Sequence, residues 1–168
     1  MATINAMDTV LKSNGLTKHF FLGGKPEVSA FGQINGADIK GRYDYYHSND
    51  KIIIDLKSCV DASPEATKKA IVIYGLHIQQ FVYSELHKNI TGDPPADFVF
   101  CMVEKSAPYG VAVFRIDPEA IAEAKKLVKR GIEIYQDCLQ TGNWYGYPES
   151  VQNINLPGWY YKQLEAIE

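Results

Sequence analysis

Cysteine is scarce and scattered. Cys59, Cys101 and Cys138 are the only three in 168 residues, odd in number and without a Cys-x-x-Cys pair. That argues against a disulfide framework or a thiolate zinc site and suits a reducing compartment. No apolar run approaches the ~18 residues that a membrane helix needs, so no membrane partner is expected. The opening Met1-Ala-Thr-Ile-Asn-Ala-Met7 lacks the basic segment and apolar stretch of an export signal, and a cytoplasmic protein is expected. Internal repeats, low-complexity tracts and an interdomain linker are also missing. Nor is there an excess of positive charge: the net charge is −3, whereas nucleic-acid binders usually carry a basic balance. A local basic stripe, or carboxylates committed to divalent cations, is compatible with that sum.

What remains is an ordinary globular composition, 46% hydrophobic and 22% charged, in a chain long enough for one domain with a real core. A short helix is expected near residues 8–13, and Gly23-Gly24-Lys25-Pro26 marks a turn. Strand character runs over 27–34, followed by Asn35-Gly36, a strong hairpin signal. Strands at 38–46 and 51–57, split by Ser48-Asn49-Asp50, complete a three-strand meander. Ser63, Pro64 and Glu65 have the residue types of an N-cap, a first helical position and an acidic first turn. The helix they open is expected to reach residue 87.

Asp93-Pro94-Pro95 breaks the chain, and strands are expected at 97–103 and 110–116. After Asp117-Pro118-Glu119, the residues Ile121, Ala124, Val128, Ile132, Tyr135 and Leu139 recur at helical spacing, with Gly142 as a stop. The tail, 143–168, is rich in aromatics, glycine and proline and is expected to pack over the surface. The order βββαββα gives an α+β (mixed α/β) class, with a central mixed sheet flanked by helices.

Three short stretches could carry chemistry. In Ile52-Ile-Ile-Asp55-Leu-Lys57, strand alternation puts Asp55 and Lys57 on one face. A surface salt bridge at a strand end is the plainer explanation for so short a pattern. Asp44, eleven residues earlier, comes near Asp55 across a short antiparallel turn. Two close carboxylates repel unless a cation neutralises them, and Mg²⁺ prefers hard oxygen ligands with room left for water. Asp44 could equally be a turn residue. Gln79 and Tyr83 share one face of the long helix, where Tyr83 is also readable as core and Gln79 as incidental.

Taken in order, these pieces resemble the PD-(D/E)XK nuclease superfamily, in particular its Gln-x-x-x-Tyr branch of phage and prophage exonucleases similar to exodeoxyribonuclease VIII. The matching stretches are Gly41-Arg-Tyr-Asp44, Ile54-Asp55-Leu-Lys57-Ser58, Leu76-His-Ile-Gln79-Gln-Phe-Val-Tyr83-Ser84, and Phe98-Val-Phe-Cys-Met-Val-Glu104. Gly142-Asn-Trp144-Tyr-Gly146 and Leu156-Pro157-Gly-Trp159 are similar to that family's closing segment.

The resemblance implies a restriction-endonuclease-like core at 26–168, preceded by an N-terminal segment, 1–25, as the remnant of a longer region. It implies a metal-dependent deoxyribonuclease, an exonuclease on duplex ends in phage-type recombination. Asp44, Asp55 and the Leu56 carbonyl would hold Mg²⁺ or Mn²⁺, with Glu27 a further candidate. Lys57 would polarise the attacking water, while Gln79 and Tyr83 would position the water or the phosphate. His19 stands in for a histidine that the family supplies from its longer N-terminal region. The implied partners are DNA, a homo-oligomeric ring and a single-strand annealing protein. A catalytically incomplete module that binds DNA or assembles, and a structure-specific endonuclease, are the other readings.

Competing chemistries lack their residues. Gly23-Gly24-Lys25 has neither the spacing nor the Ser/Thr of a phosphate-binding loop, the four histidines lack metalloprotease spacing, and Ser58 and Cys59 have no identifiable His partner. Lys125, Lys126, Lys129 and Arg130 form either a solvated face or a track for a DNA backbone. Trp144, Tyr145, Tyr147, Trp159, Tyr160 and Tyr161 could stack on bases, contact another subunit or cover the core.

Overall fold

The computed structural model describes residues 2–166. Its strands are β1 (Lys25–Ile34), β2 (Ala37–His47), β3 (Ile52–Cys59), β4 (Asp97–Glu104) and β5 (Val111–Phe114). Its helices are α1 (Ala2–Ser13), α2 (Pro64–Ile73), α3 (Leu76–Thr91), α4 (Pro118–Thr141) and α5 (Gly158–Glu165). The strands form one sheet in the order β1-β2-β3-β4-β5, antiparallel except for the parallel pair β3–β4. The expected α+β class and mixed sheet are therefore present.

Local chemistry explains most of the elements. Asn35 and Gly36 both have positive φ (49° and 79°), which the tight turn of the β1–β2 hairpin requires. Ser63 caps α2 by accepting the N–H of Ala66, and Pro64 occupies the first turn. Two elements differ from expectation. The helix begun at Pro64 does not run through to residue 87: Gly75, at φ 63°, takes the left-handed conformation that ends α2 and lets α3 start in a new direction. The N-terminal helix is also longer than residues 8–13. α1 begins at Ala2, and its Leu11 is buried with Ile54, Val99, Cys101 and Val103 on one face of the sheet.

The other face carries the larger core. Ile53, Phe98, Phe100 and Met102 from the sheet meet Leu76 and Leu86 of α3, with Ile132 of α4. On α4, Ala124 and Ile132 are buried and Ile121 and Val128 half-buried, as their spacing predicts, but Tyr135 and Leu139 are exposed. The chain divides into two compact units, 1–136 and 137–168. The second holds the end of α4 and helix α5. Its Trp144, Tyr145, Tyr147, Trp159, Tyr160 and Tyr161 are all exposed, Tyr147 almost completely. No described helix is long and apolar enough to cross a membrane.

Candidate active site

β2 and β3 pair as His47↔Ile52, Tyr46↔Ile53 and Tyr45↔Ile54. One further step of that register sets Asp44 opposite Asp55, and there the ladder stops. Instead, the Asp44 carboxylate accepts the N–H of Leu56 at 2.8 Å, so a side chain takes over where the backbone pairing ends. Strand alternation does the rest. Ile53 and Asp55 point to the α3 side of the sheet, while Ile54 points to the α1 side.

Asp55 is buried (1% exposed). One of its oxygens accepts a hydrogen bond from the Gln79 side-chain amide of α3. The other, Oδ1, forms an ion pair with Lys57 Nζ, without the alignment of a hydrogen bond. Burial pushes the Asp55 carboxyl above the usual carboxylate range, and the negative charge of Asp44 adds to the rise. Lys57 and Gln79 pull in the other direction without cancelling it. Lys57 itself remains partly open, at 30% side-chain exposure, so its ammonium lies between a buried carboxylate and an open cavity.

Gln79 reaches Asp55 because α3 lies close on the sheet, and small residues allow that approach. A Cβ on Gly41 would stand 2.8 Å from the Tyr83 ring, and one on Gly32 would stand 3.2 Å from Leu86. Tyr83 packs its ring on Tyr43 (centroids 5.4 Å apart) and on Phe98, and its backbone carbonyl accepts the Tyr43 hydroxyl at 3.3 Å. Burial, with Tyr46 and Tyr83 nearby, pushes that hydroxyl up to about 12. Of the predicted residues, Asp55, Lys57 and Gln79 are in contact and Asp44 is bound to the adjoining backbone. Tyr83, a turn beyond Gln79, holds the helix on the sheet.

The remaining candidates lie elsewhere. Glu27 is exposed at a positive φ of 56° and is ion-paired with Arg42 at 2.7 Å. His19 is exposed on a single 3-10 turn. On α4, Lys126 pairs with Glu123, while Lys129 and Arg130 lie near Glu133, the pattern of a solvated helix face.

A cavity of about 640 Å³ opens beside Lys57 and Gln79. Its wall includes Lys69, Tyr74 and Lys105, none of which stood out in the sequence. Glu104 also went unremarked as a structural anchor: its carboxylate accepts the N–H of Ala62 at 3.0 Å and ties the approach to α2 to the end of β4. The missing signal is the parallel register Cys59↔Glu104, which brings the carboxyl ends of β3 and β4 together. In open sheets with parallel strands, ligands bind at such ends.

The donor set suits a hard divalent cation. Asp44 and Asp55 are two carboxylates one register step beyond a ladder end, and the buried Asp55 Oδ1 faces only the Lys57 ammonium among the described residues. Mg²⁺ commonly takes one or two carboxylates and completes its shell with water and phosphate. Among the described residues no group of three or more His, Cys, Asp or Glu converges, so Glu27 is not joined to the aspartate pair.

Comparison with known proteins agrees with this architecture. A provisionally named exonuclease from Eubacterium rectale superposes with a TM-score of 0.67 at 17% identity, over 89% of this chain and 63% of that one. A phage-related exonuclease from Haemophilus somnus 129PT superposes with a TM-score of 0.52 at 18% identity, over 83% of this chain and 71% of that one. The chain thus spans less than two thirds of the first of these proteins. At such identities the likeness is one of fold. No curated protein matches the sequence significantly. Residues 1–157 match the family described as a PDDEXK-like domain of unknown function (DUF3799), and the chain belongs to that family.

Proposed function

We propose that the chain is a metal-dependent deoxyribonuclease that hydrolyses DNA phosphodiesters, acting as an exonuclease on duplex ends in phage-type recombination. The contact of Asp55 with Lys57 and Gln79, which stand in the wall of an open cavity, and the place of Asp44 opposite Asp55 carry this reading. A buried aspartate beside a second carboxylate is costly unless its charge has a use.

Asp44 and Asp55, with the carbonyl of Leu56, would hold Mg²⁺ or Mn²⁺. Such an ion, when bound, makes a coordinated water acidic and neutralises charge on phosphate oxygens. Lys57, anchored by Asp55 and open to the cavity, orients the attacking water and offsets the negative charge that builds on the phosphoryl group. Gln79 fixes the direction of the Asp55 carboxylate by donating to it. Hydrolysis forms a bond from the water oxygen to phosphorus and breaks the bond to the sugar oxygen, which leaves with a proton. Tyr83 keeps α3, and with it Gln79, at working distance. By resemblance, a ring of identical subunits and a single-strand annealing protein would be the partners.

The test is degradation of end-labelled linear duplex with Mg²⁺ or Mn²⁺, alongside a closed circle and the variants Asp55→Ala and Lys57→Ala. Loss of linear DNA alone, abolished in both variants, is the expected result. A second reading, a catalytically incomplete module that binds DNA, is favoured by the lack of a third metal-ligating side chain among the described residues. Binding by the folded, unmodified chain without hydrolysis under any divalent ion would select it.

A further inference from the structure

The cavity beside Lys57 and Gln79 extends away from Asp55 along the seam between the end of β3 and helix α2. Two lysines stand on its far wall, Lys69 on α2 and Lys105 just beyond β4. Both are exposed, and neither forms an ion pair among the described residues. The facing acid, Asp61, turns its carboxylate to the N–H of Ser63 at 2.7 Å. Lys57 is held by Asp55, which leaves Lys69 and Lys105 facing Asp61 in this groove.

Between the charges the wall is apolar. Ile73 and Tyr74, at the end of α2, are 71% and 75% exposed, and Val60 is 86% exposed. Burial inside the domain does not account for these side chains. An apolar, aromatic wall set among unpaired cations suits a polyanion that also presents flat apolar faces. Single-stranded nucleic acid has that chemistry: its phosphates run along cationic grooves and its bases stack on aromatic rings. A duplex lacks it, since its bases are stacked on one another inside the helix. A volume of about 640 Å³ lies within the range of pockets for single small ligands, on the order of a nucleotide or two, and is far too small for a duplex.

We propose that this groove seats the unpaired strand leading from the Asp55–Lys57 site, with Lys69 and Lys105 on its phosphates and Tyr74 against a base. The assignment rests on reading that site as a nuclease centre. Lys69, Lys105 and Tyr74 are then substrate-binding residues, outside the group that carries out hydrolysis.

The experiment measures binding of a short fluorescent single-stranded oligonucleotide, in chelator and over a salt series, with the blunt duplex as comparison. It uses the full chain, the double variant Lys69→Ala/Lys105→Ala, the variant Tyr74→Ala, and the α4 control Lys125→Ala/Lys129→Ala. All of these side chains are exposed, and thermal melts verify folding. Expected are tighter binding of the single strand than of the duplex and about tenfold weaker binding in Tyr74→Ala. The double-lysine variant should also bind more weakly, with its salt slope reduced by about 1.4, while the control is unchanged.

Groove variants that bind like the unmodified chain overturn the proposal. So does a duplex bound as tightly as the single strand, or an unmodified chain that binds neither. Groove-dependent binding without hydrolysis when Mg²⁺ or Mn²⁺ is supplied supports the groove and overturns the nuclease reading alone.

Discussion

The side-chain amide of Gln79, on α3, donates to the carboxylate of Asp55, the buried acid of β3. The bond joins the helix to the sheet at the point where the β2–β3 ladder has ended. Partners that orient a ligating carboxylate typically matter by about 10–100-fold in metal affinity or activity. Gln79→Ala is therefore expected to lower DNA hydrolysis by about that factor, with partial recovery at high Mn²⁺. Rates measured over a Mn²⁺ titration check this. A variant with unchanged rate and unchanged metal dependence would remove Gln79 from the site.

Much of this arrangement was legible in the residues themselves. Period-two alternation in Ile52–Cys59 put Asp55 and Lys57 together, and the hairpin set Asp44 beside them. Four-residue spacing placed Gln79 and Tyr83 on one helical face. Two kinds of fact stayed hidden. Gly75 reads as one tolerable glycine in a helical pattern, and only tertiary packing decides that it takes φ 63° and turns the chain. The groove depends on residues far apart in sequence, Lys57, Lys69 and Lys105, which meet only because β3 and β4 are parallel neighbours. Local periodicity has no term for such a meeting. Glu27, which the family resemblance offered as a further ligand, has its carboxylate paired with Arg42.

Gly41 and Gly131 make opposite predictions from the same substitution. A Cβ at Gly41 meets the Tyr83 ring at 2.8 and 2.9 Å and Leu86 at 3.1 Å, in packed surroundings. Gly41→Ala should destabilise by about 1–3 kcal/mol, the usual range for overpacking, and should lower activity by shifting α3. A Cβ at Gly131 meets nothing within 4 Å on the exposed side of α4. Gly131→Ala should stabilise by about 0.4–1 kcal/mol through the unfolded chain. Urea midpoints of the two variants decide both, and destabilisation of similar size at the two positions would contradict the close-approach argument.

Cys101 should be chemically silent while the chain is folded. It is fully buried in β4, and burial pushes its thiol up to about 12 from the ordinary 9.0. Thiolate is the reactive form, so alkylation at mildly alkaline pH should spare Cys101 in the native protein and reach it after denaturation. A raised folded value contributes stability that is fully present below pH 9.0 and is lost as pH rises towards about 12. Mass-spectrometric mapping of labelled cysteines tests the first part, and rapid native labelling of Cys101 would refute it.

Asp97 and Arg115 fasten the start of β4 to the end of β5. Arg115 Nε lies 2.8 and 3.0 Å from the two Asp97 oxygens, and this guanidinium holds the carboxyl below the ordinary 3.8. Arg115 is largely exposed, so solvent screening keeps the contribution of the pair small. Arg115→Ala should lower stability slightly at neutral pH. Because the folded value is depressed, the contribution is present above pH 3.8 and fades as acid drives the carboxyl through its lowered value. Paired urea melts of both proteins across that window should therefore converge at the acid end. A gap that stays constant into strong acid would show that Arg115 acts through packing of its stem and not through its charge.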